Sequence, residues 1–321
     1  MSLPCLKCLN KVNTMKTFIK VTEIWVPNKQ RTQLEFGSGL YGGLVEFKAA
    51  SEQQQFAYNE GLPGKAWAEG RPLVLKEFEQ SYFKRTSAAK EVGLTCGIAI
   101  PIFSGDFLLA VVVFLCADDE NHVGAIEVWS NQDSSEQSLK VIDGYYGSLH
   151  HFEQLSREIS VAKDQDLVGL AWAQGLPVLI DDISKADGFI RVHDAKQAGI
   201  SMGIGIPVSD HLNSPYIMTF LSAKATPLAK RIQIWIPDLR GEQLICLEGY
   251  SKNTNELAQL FETTTVTKGV GALGRVWLTG MPVITGDDDA DYNPELASLN
   301  TMLAIPVIEQ GRLKAIVSFL F

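Results

Sequence analysis

The chain has 321 residues, 46% of them hydrophobic and 20% charged, with a formal net charge of −9. This is the make-up of a globular chain with core enough for two or three domains, and it excludes a disordered or fibrous one. Lys and Arg balance Asp and Glu over residues 1–120, whereas the acidic surplus is −6 over 121–226 and −3 over 227–321. No segment therefore offers the basic footprint that nucleic acid requires.

The first residues, MSLPCLKCLNKV, lack the sustained apolar region of a secretory signal, and residues 1–14 are read as a tail. Cys5 and Cys8 have the spacing of half a zinc ribbon, but no second pair follows them. With Cys96, Cys116 and Cys246 the cysteines number five, without a repeating framework, which points to a reducing, cytoplasmic compartment. The longest apolar run, LLAVVVFLCA (108–117), has the length of a buried strand and is too short to span a membrane.

From residue 20 a pattern begins that occurs three times. Each copy opens on an alternating strand with a Trp, KVTEIWVPN (20–28), AIEVWSN (125–131) and RIQIWIPD (231–238), read as one buried and one outward face. A turn leads to a second strand (TQLEFGSGLYGG, QSLKVIDGYYGS, EQLICLEGYSKN), and Asn, Asp and Gly between the two runs predict a hairpin. A polar segment and a third strand follow, QQQFAYNE (53–60) in the first copy and REISVAKD (157–164) in the second.

Next comes the most recurrent phrase: GLPGKAWAEGRPLVL (61–75), DLVGLAWAQGLPVLI (166–180) and GALGRVWLTGMPVIT (271–285). Gly64, Trp67, Gly70 and Pro72 recur 105 residues later as Gly169, Trp172, Gly175 and Pro177, and again as Gly274, Trp277, Gly280 and Pro282. The phrase predicts a short helix closed by a left-handed glycine, after which the proline opens a short strand. A variable stretch read as a helix and a loop follows, and two apolar strands close each copy. They are GIAIPIF with LLAVVVFL, GIGIPVS with YIMTFLSA, and MLAIPVI with LKAIVSFL. The chain is thus a tandem array of domains of roughly 105 residues, each large enough for its own core. The boundaries are 15–120, 121–226 and 227–321.

The order Ile-Trp strand, G-x-x-W-x-x-G-x-P, variable segment and closing strand pair resembles the GAF domain, in three copies from about residue 15 to 321. Val168 to Val178 best match the family's helix-to-strand phrase, and Met302 to Phe319 its closing strands. The resemblance implies an α+β fold: three tandem GAF-like (PAS-like) domains, each a central antiparallel sheet with short helices and loops on one face, enclosing a small-molecule cavity. It also implies long helices flanking each sheet, and these have no room here. Only nine residues separate VVVFL (111–115) from AIEVW (125–129), and eight separate FLSA (220–223) from IQIW (232–235). The uncovered sheet faces are expected to be polar, to pack on one another, or to meet a partner chain, which leaves a homodimer open.

Ligands in the family lie beneath the variable segment, so Phe83, Arg85, Phe189, Arg191, His193 and Tyr292 are candidate ligand-binding residues by resemblance. Arg191 and His193 are the cationic pair suited to a carboxylate or phosphate. Cys96 and the equivalent Met202 are read as fillers near the cavity, with a redox thiol as the alternative for Cys96. His150 and His151 are read as an exposed pair, and the acidic run Asp287–Asp291, like Asp181 and Asp182, as helix caps. No recurring Ser/His/Asp set and no phosphate-cradling loop is present, no metal site is expected, and no cofactor is specified.

The expected function is a non-catalytic sensory or regulatory protein that binds an unidentified small molecule in one or more cavities, the middle domain first. It passes the signal to an unidentified effector protein, with neither nucleic acid nor membrane as a partner. The alternative is an interaction scaffold whose cavities are filled by its own side chains, Phe78, Tyr82, Phe83, Phe189 and Tyr292 among them. A GAF-type thiol reductase ranks third. A sealed cavity favours the scaffold, and an open one lined by Arg191 and His193 favours the sensor.

Overall fold

The computed structural model describes residues 17–117, 122–131, 137–208, 215–251, 264–286 and 301–321. Unit 1 runs β1 (Ile19–Pro27), β2 (Gln33–Leu40), α1 (Val45–Glu52), β3 (Gln55–Ala57), α2 (Gly61–Glu69), β4 (Leu73–Leu75), α3 (Thr86–Glu91), β5 (Cys96–Ser104) and β6 (Phe107–Cys116). Unit 2 repeats the order: β7 (Gly124–Ser130), β8 (Ser138–Tyr145), α4 (His150–Glu158), β9 (Val161–Ala162), α5 (Asp166–Gln174), β10 (Val178–Ile180), α6 (Val192–Gln197), β11 (Met202–Val208) and β12 (Tyr216–Ser222). Unit 3 contributes β13 (Arg231–Pro237), β14 (Gln243–Ser251), β15 (Thr265–Thr267), α7 (Gly271–Thr279), β16 (Val283–Thr285), β17 (Met302–Glu309) and β18 (Arg312–Leu320). Each unit forms one six-stranded sheet with the strand order 3-2-1-6-5-4, and the Trp strand pairs with the last strand at its centre.

The recurrent phrase owes its glycines to close approach and to chirality. A Cβ on Gly64, Gly169 or Gly274 would lie 2.2, 2.1 or 2.4 Å from the carbonyl oxygen of Ala57, Ala162 or Thr267, so only glycine lets the helix sit on the third strand. Gly70, Gly175 and Gly280 close the three helices at φ 64°, 62° and 70°, a left-handed conformation that a side chain disfavours. One equivalent residue in each unit lies against the Trp indole: Tyr58 on Trp67, Lys163 on Trp172 and Lys268 on Trp277.

The sequence reading placed only a polar segment between the second and third strands. Helices α1 and α4 are there instead. They are short, each burying one aromatic (Phe47 or Phe152) and one serine (Ser51 or Ser156), a face that a reading by apolar residues alone does not mark.

The outer sheet faces pack on one another. Phe114, Phe220 and Phe319 occupy one equivalent position in the three sheets and meet in a shared core, with ring centroids 5.4 and 6.3 Å apart between successive members. Ile98, Ile100 and Val112 from unit 1, Ile126, Ile204 and Met218 from unit 2, and Ile232, Ile305 and Val317 from unit 3 fill the same core. Each large apolar side chain buried there contributes roughly 1.5–3 kcal/mol.

The seams close in a ring: β4 lies against β8, β10 against β14, and β16 against β2, so each unit offers the same edge to the next. Unlike surfaces that meet with a rotation that closes give a cyclic arrangement, here within one chain. At the axis, Pro101, Pro207 and Pro306 with their flanking isoleucines line an apolar cavity of about 20 Å³, room for little more than a water.

Candidate functional site

The inner face of each sheet, beneath the helices, is where the expected cavity lies. In unit 1 it is occupied. Glu23 and Trp25, two residues apart on β1, share that face. The Glu23 carboxylate is wholly buried and accepts from Trp25 Nε1 (2.9 Å), Tyr41 OH (2.9 Å) and both terminal nitrogens of Arg85, with Nη2 at 2.8 Å. Arg85 Nη1 also donates to Ser51 Oγ on α1, and the guanidinium lies over the rings of Trp25, Phe47 and Phe83. Phe83 stacks on Phe78 at 3.8 Å.

Unit 2 repeats the cluster and adds one hydroxyl, Thr219, where unit 1 has Val113. Glu127 accepts from Trp129 Nε1 (3.0 Å), Tyr146 OH (3.1 Å), Thr219 Oγ1 (2.8 Å) and both terminal nitrogens of Arg191, with Nη2 at 3.0 Å. Arg191 also donates to Ser156 Oγ at 2.7 Å and lies over Trp129, Phe152 and Phe189. Burial pushes the Glu127 and Glu23 carboxyls up, but the charge and hydrogen bonds of the facing arginine outweigh it and hold both below the ordinary carboxylate value. The neighbouring tyrosines go the other way: burial, then the carboxylate charge, pushes Tyr41 and Tyr146 well above the usual phenol value.

Asp166 adds a tie that unit 1 lacks. It stands where units 1 and 3 have Gly61 and Gly271, at φ 58°, and is 3% exposed. Its Oδ2 accepts from the Ile190 amide at 3.0 Å, fastening the segment that delivers Arg191. Burial raises its carboxyl despite the nearby Arg191 charge.

Unit 3 keeps the Trp indole and a hydroxyl opposite it but departs from this arrangement at the glutamate and the tyrosine. Gln233 replaces the glutamate and Ser251 the tyrosine, while the sequence from 286 to 300 holds no Lys or Arg to deliver a guanidinium. Trp235 Nε1 donates to Ser318 Oγ (3.2 Å), which donates to Gln233 Oε1 (3.1 Å). Gln233 Nε2 is buried and has no hydrogen-bond partner among the described residues. An arginine does enter this face, but from the strand: Arg231, two residues before Gln233 and 4% exposed, stands where units 1 and 2 have Val21 and Ala125.

The sequence-derived candidates are therefore distributed as follows. Arg85, Phe83, Arg191 and Phe189 come together within the two closed clusters, all of them buried. His193 lies on α6, bonded to Gln197 at 2.8 Å and away from Arg191's carboxylate partner. Cys96 and Met202 are on the outer face, in the core shared by the units, as is Cys116. Tyr292, His211, Asp287–Asp291, Cys5 and Cys8 lie outside the described residues. Sequence reasoning missed Glu23 and Glu127, which looked like the solvent side of an alternating strand. The available signal was their spacing of two from a buried Trp.

Among the described residues no helix is long and apolar enough to cross a membrane. Residues 24–132 match the family model described as GAF domain. Among solved structures, the chain is similar to a GAF domain from A. aeolicus in an inactive state (22% identity, TM-score 0.26, covering 32% of this chain and 60% of that one). It is similar also to the free methionine-R-sulfoxide reductase from Neisseria meningitidis in complex with its substrate (14%, 0.25, 32% and 57%). A third is the GAF domain of a phosphoenolpyruvate-protein phosphotransferase from Coxiella burnetii (16%, 0.26, 30% and 56%). The chain thus spans less than two thirds of the length of these structures. No curated protein matches it.

Proposed function

We infer, from a chain of three tandem GAF-like domains, that the protein is a non-catalytic regulatory module in which two domains are closed and the third responds to a small molecule. GAF domains in general are small-molecule sensing and regulatory domains. The observation that carries the reading is the contrast between the inner faces. In units 1 and 2 a buried glutamate paired with the arginine that faces it, together with aromatic rings, fills the cavity, which supports a scaffolding role for them. In unit 3 the ion pair is absent from the strand position, with Gln233 in place of the glutamate, and among the described residues the Gln233 Nε2 has no hydrogen-bond partner.

The non-catalytic reading rests on the thiols. Cys96 and Cys116 are buried in the core between units, where no substrate meets them. A ligand can act only through its differential affinity for two arrangements of the chain. Unit 3 offers a route, because its strands β16 and β17 touch β2 and β5 of unit 1 directly. The effector that reads the change would be a separate protein.

Native mass spectrometry of the purified full chain tests the reading. A retained small-molecule mass is expected, and it should disappear in Ser251→Tyr, which returns to unit 3 the phenol that occupies the other two domains. Retention of that mass in Ser251→Tyr, or its loss on Arg191→Met instead, would overturn the assignment to unit 3.

A further inference from the structure

On its inner face unit 2 buries two carboxylates against one guanidinium, where unit 1 buries one of each. The additional carboxylate is Asp166, the first residue of α5. The corresponding glycines of units 1 and 3, Gly61 and Gly271, share its left-handed backbone, at φ 60° and 63° against 58°. Glycine takes that conformation freely, and among other residues Asn and Asp tolerate it best. In unit 1 a Cβ at this point would lie 2.5 Å from the Phe56 ring; unit 2 has the smaller Val161 on that strand, which leaves room for a side chain.

The two oxygens of Asp166 are unequally served. Oδ2 accepts from the Ile190 amide, whereas Oδ1 is buried without a hydrogen bond among the described residues. Arg191 is committed to other partners, since its terminal nitrogens donate to Glu127 and Ser156. Burial, with the charge of Glu127 added, raises the Asp166 carboxyl against the Arg191 charge and the amides of Ile190 and Leu167. The charged groups of the neighbouring elements are engaged elsewhere or lie in water. β9, β10 and β11 carry no titratable side chain, and Tyr145 of β8 and Tyr216 of β12 face the shared core. Asp143 of β8 pairs with Lys76 of unit 1, Tyr146 donates to Glu127, and Lys163 lies over Trp172. Lys140, Asp164 and Asp187 are exposed, Lys185 pairs with Asp182, and His193 is bonded to Gln197. A buried oxygen that meets no donor costs far more as part of a carboxylate than as part of a neutral acid.

We propose that Asp166 is a proton-controlled latch on the segment that closes unit 2: the acid form holds Ile190 and Arg191 in place, and ionisation loosens them. A domain closed to small molecules thereby responds to protons, whatever unit 3 binds. Release of the segment would bring Asp166 into water, where it titrates near 3.9, whereas in the closed form it titrates higher. Closure is therefore fully favoured below the lower value and weakens as pH rises through the higher one. Beyond that point the ratio of closed to open falls about tenfold for each unit that separates the two values. Unit 1 has Gly61 in this place, so its own segment lacks this titration.

The test is amide-resolved NMR of the full chain between about pH 4.5 and 8.5. The Ile190 amide proton is the reporter, and that of Lys84, which precedes Arg85 as Ile190 precedes Arg191, is the control. Ile190 should shift in one step as its acceptor changes from acid to carboxylate. Across that step its hydrogen exchange should rise beyond the base-catalysed rate, by about tenfold or more. Lys84 should show neither change. Asp166→Asn keeps the acceptor and the tolerance for left-handed backbone while fixing the neutral form, so step and excess exchange should both vanish. Asp166→Gly, the residue of the other two units, removes the acceptor and should leave Ile190 exchanging fast at every pH. No step at Ile190 in the parent, an equal excess in Asp166→Asn, or undiminished protection in Asp166→Gly overturns the proposal.

Discussion

Removal of Arg191 tests the closed cluster most directly. Arg191→Met keeps the volume and the apolar contacts with Trp129, Phe152 and Phe189 but leaves Glu127 buried without its cation. Breaking a buried pair from one side costs about 3–5 kcal/mol, because the surviving charge is uncompensated. With an unfolding entropy of ~2.1 cal/mol/K per residue, 321 residues lose about 4–7 °C in Tm for that change, provided the ring unfolds as one unit.

The pH dependence sharpens the test. In the parent, Glu127 has a depressed folded pKa, so its contribution is present above the unfolded value of about 4.3 and is lost as pH falls through the folded one. Without Arg191, burial is opposed only by neutral hydrogen bonds, those from Thr219 and Trp129 among them, and should raise the carboxyl, so the variant gains stability as pH falls. The deficit of Arg191→Met measured by calorimetry should therefore be largest at pH 8 and shrink toward pH 5. Glu127→Gln combined with Arg191→Met adopts the unit 3 solution at 233 and should recover much of the loss. A Tm drop under about 1 °C, an equal deficit at both pH values, or a double variant no better than the single would refute the cluster as a coupled buried pair.

Two further substitutions probe the scaffold around it. Gly169→Ala places a Cβ 2.1 Å from the Ala162 carbonyl and should lift α5 off β9, for a loss of ~1–3 kcal/mol read from the urea midpoint; an unchanged midpoint would mean the helix does not need this close seat. Glu248 sits in the seam between units 2 and 3, where burial and the charge of Asp181 raise its carboxyl against the opposing hydrogen bond from the Leu179 amide. Its sign is opposite to that of Glu127: the folded state takes up a proton above the unfolded pKa, so this group's contribution weakens as pH rises through the raised value. Glu248→Gln should be the more stable form at pH 8, by no more than ~1 kcal/mol given its partial exposure, with the gap closing toward pH 5 in denaturant titrations. A gap that widens on acidification would show the seam to be held by the charged form.

Most of the fold could be read from the sequence because its signals are local. The glycine that must sit on a carbonyl, the glycine that must be left-handed and the proline that follows it recur at fixed offsets, and each has a steric cause confined to a few residues. The inner clusters were less visible, because a glutamate at 23 and an arginine at 85 are joined only through the fold. Phe83-x-Arg85 and Phe189-x-Arg191 were visible as repeated phrases, but alternation assigned Glu23 and Glu127 to water. That inference holds for a sheet with one wet face; in these sheets helices cover one side and neighbouring units the other. Cys96 and Met202 were placed beside the cavity for a related reason: period-two patterning separates two faces without saying which is the inner one.

The short connections between units and the altered third domain have one explanation. A domain that stands alone must cover its outer sheet face and stabilise its interior by itself. Here the outer faces form a single core across all three units, while the inner cores remain separate, one set under each group of helices. Stability contributed by the shared core supports every unit, so one interior can differ from the other two in its buried polar groups without unfolding the ring. Unit 3 differs in this way, and its position in the ring gives it consequence. Met302 belongs to the inner core of unit 3, while its strand neighbours Leu303 and Ile305 project into the shared core, so a ligand that shifts β17 by a fraction of an ångström acts on both surfaces at once.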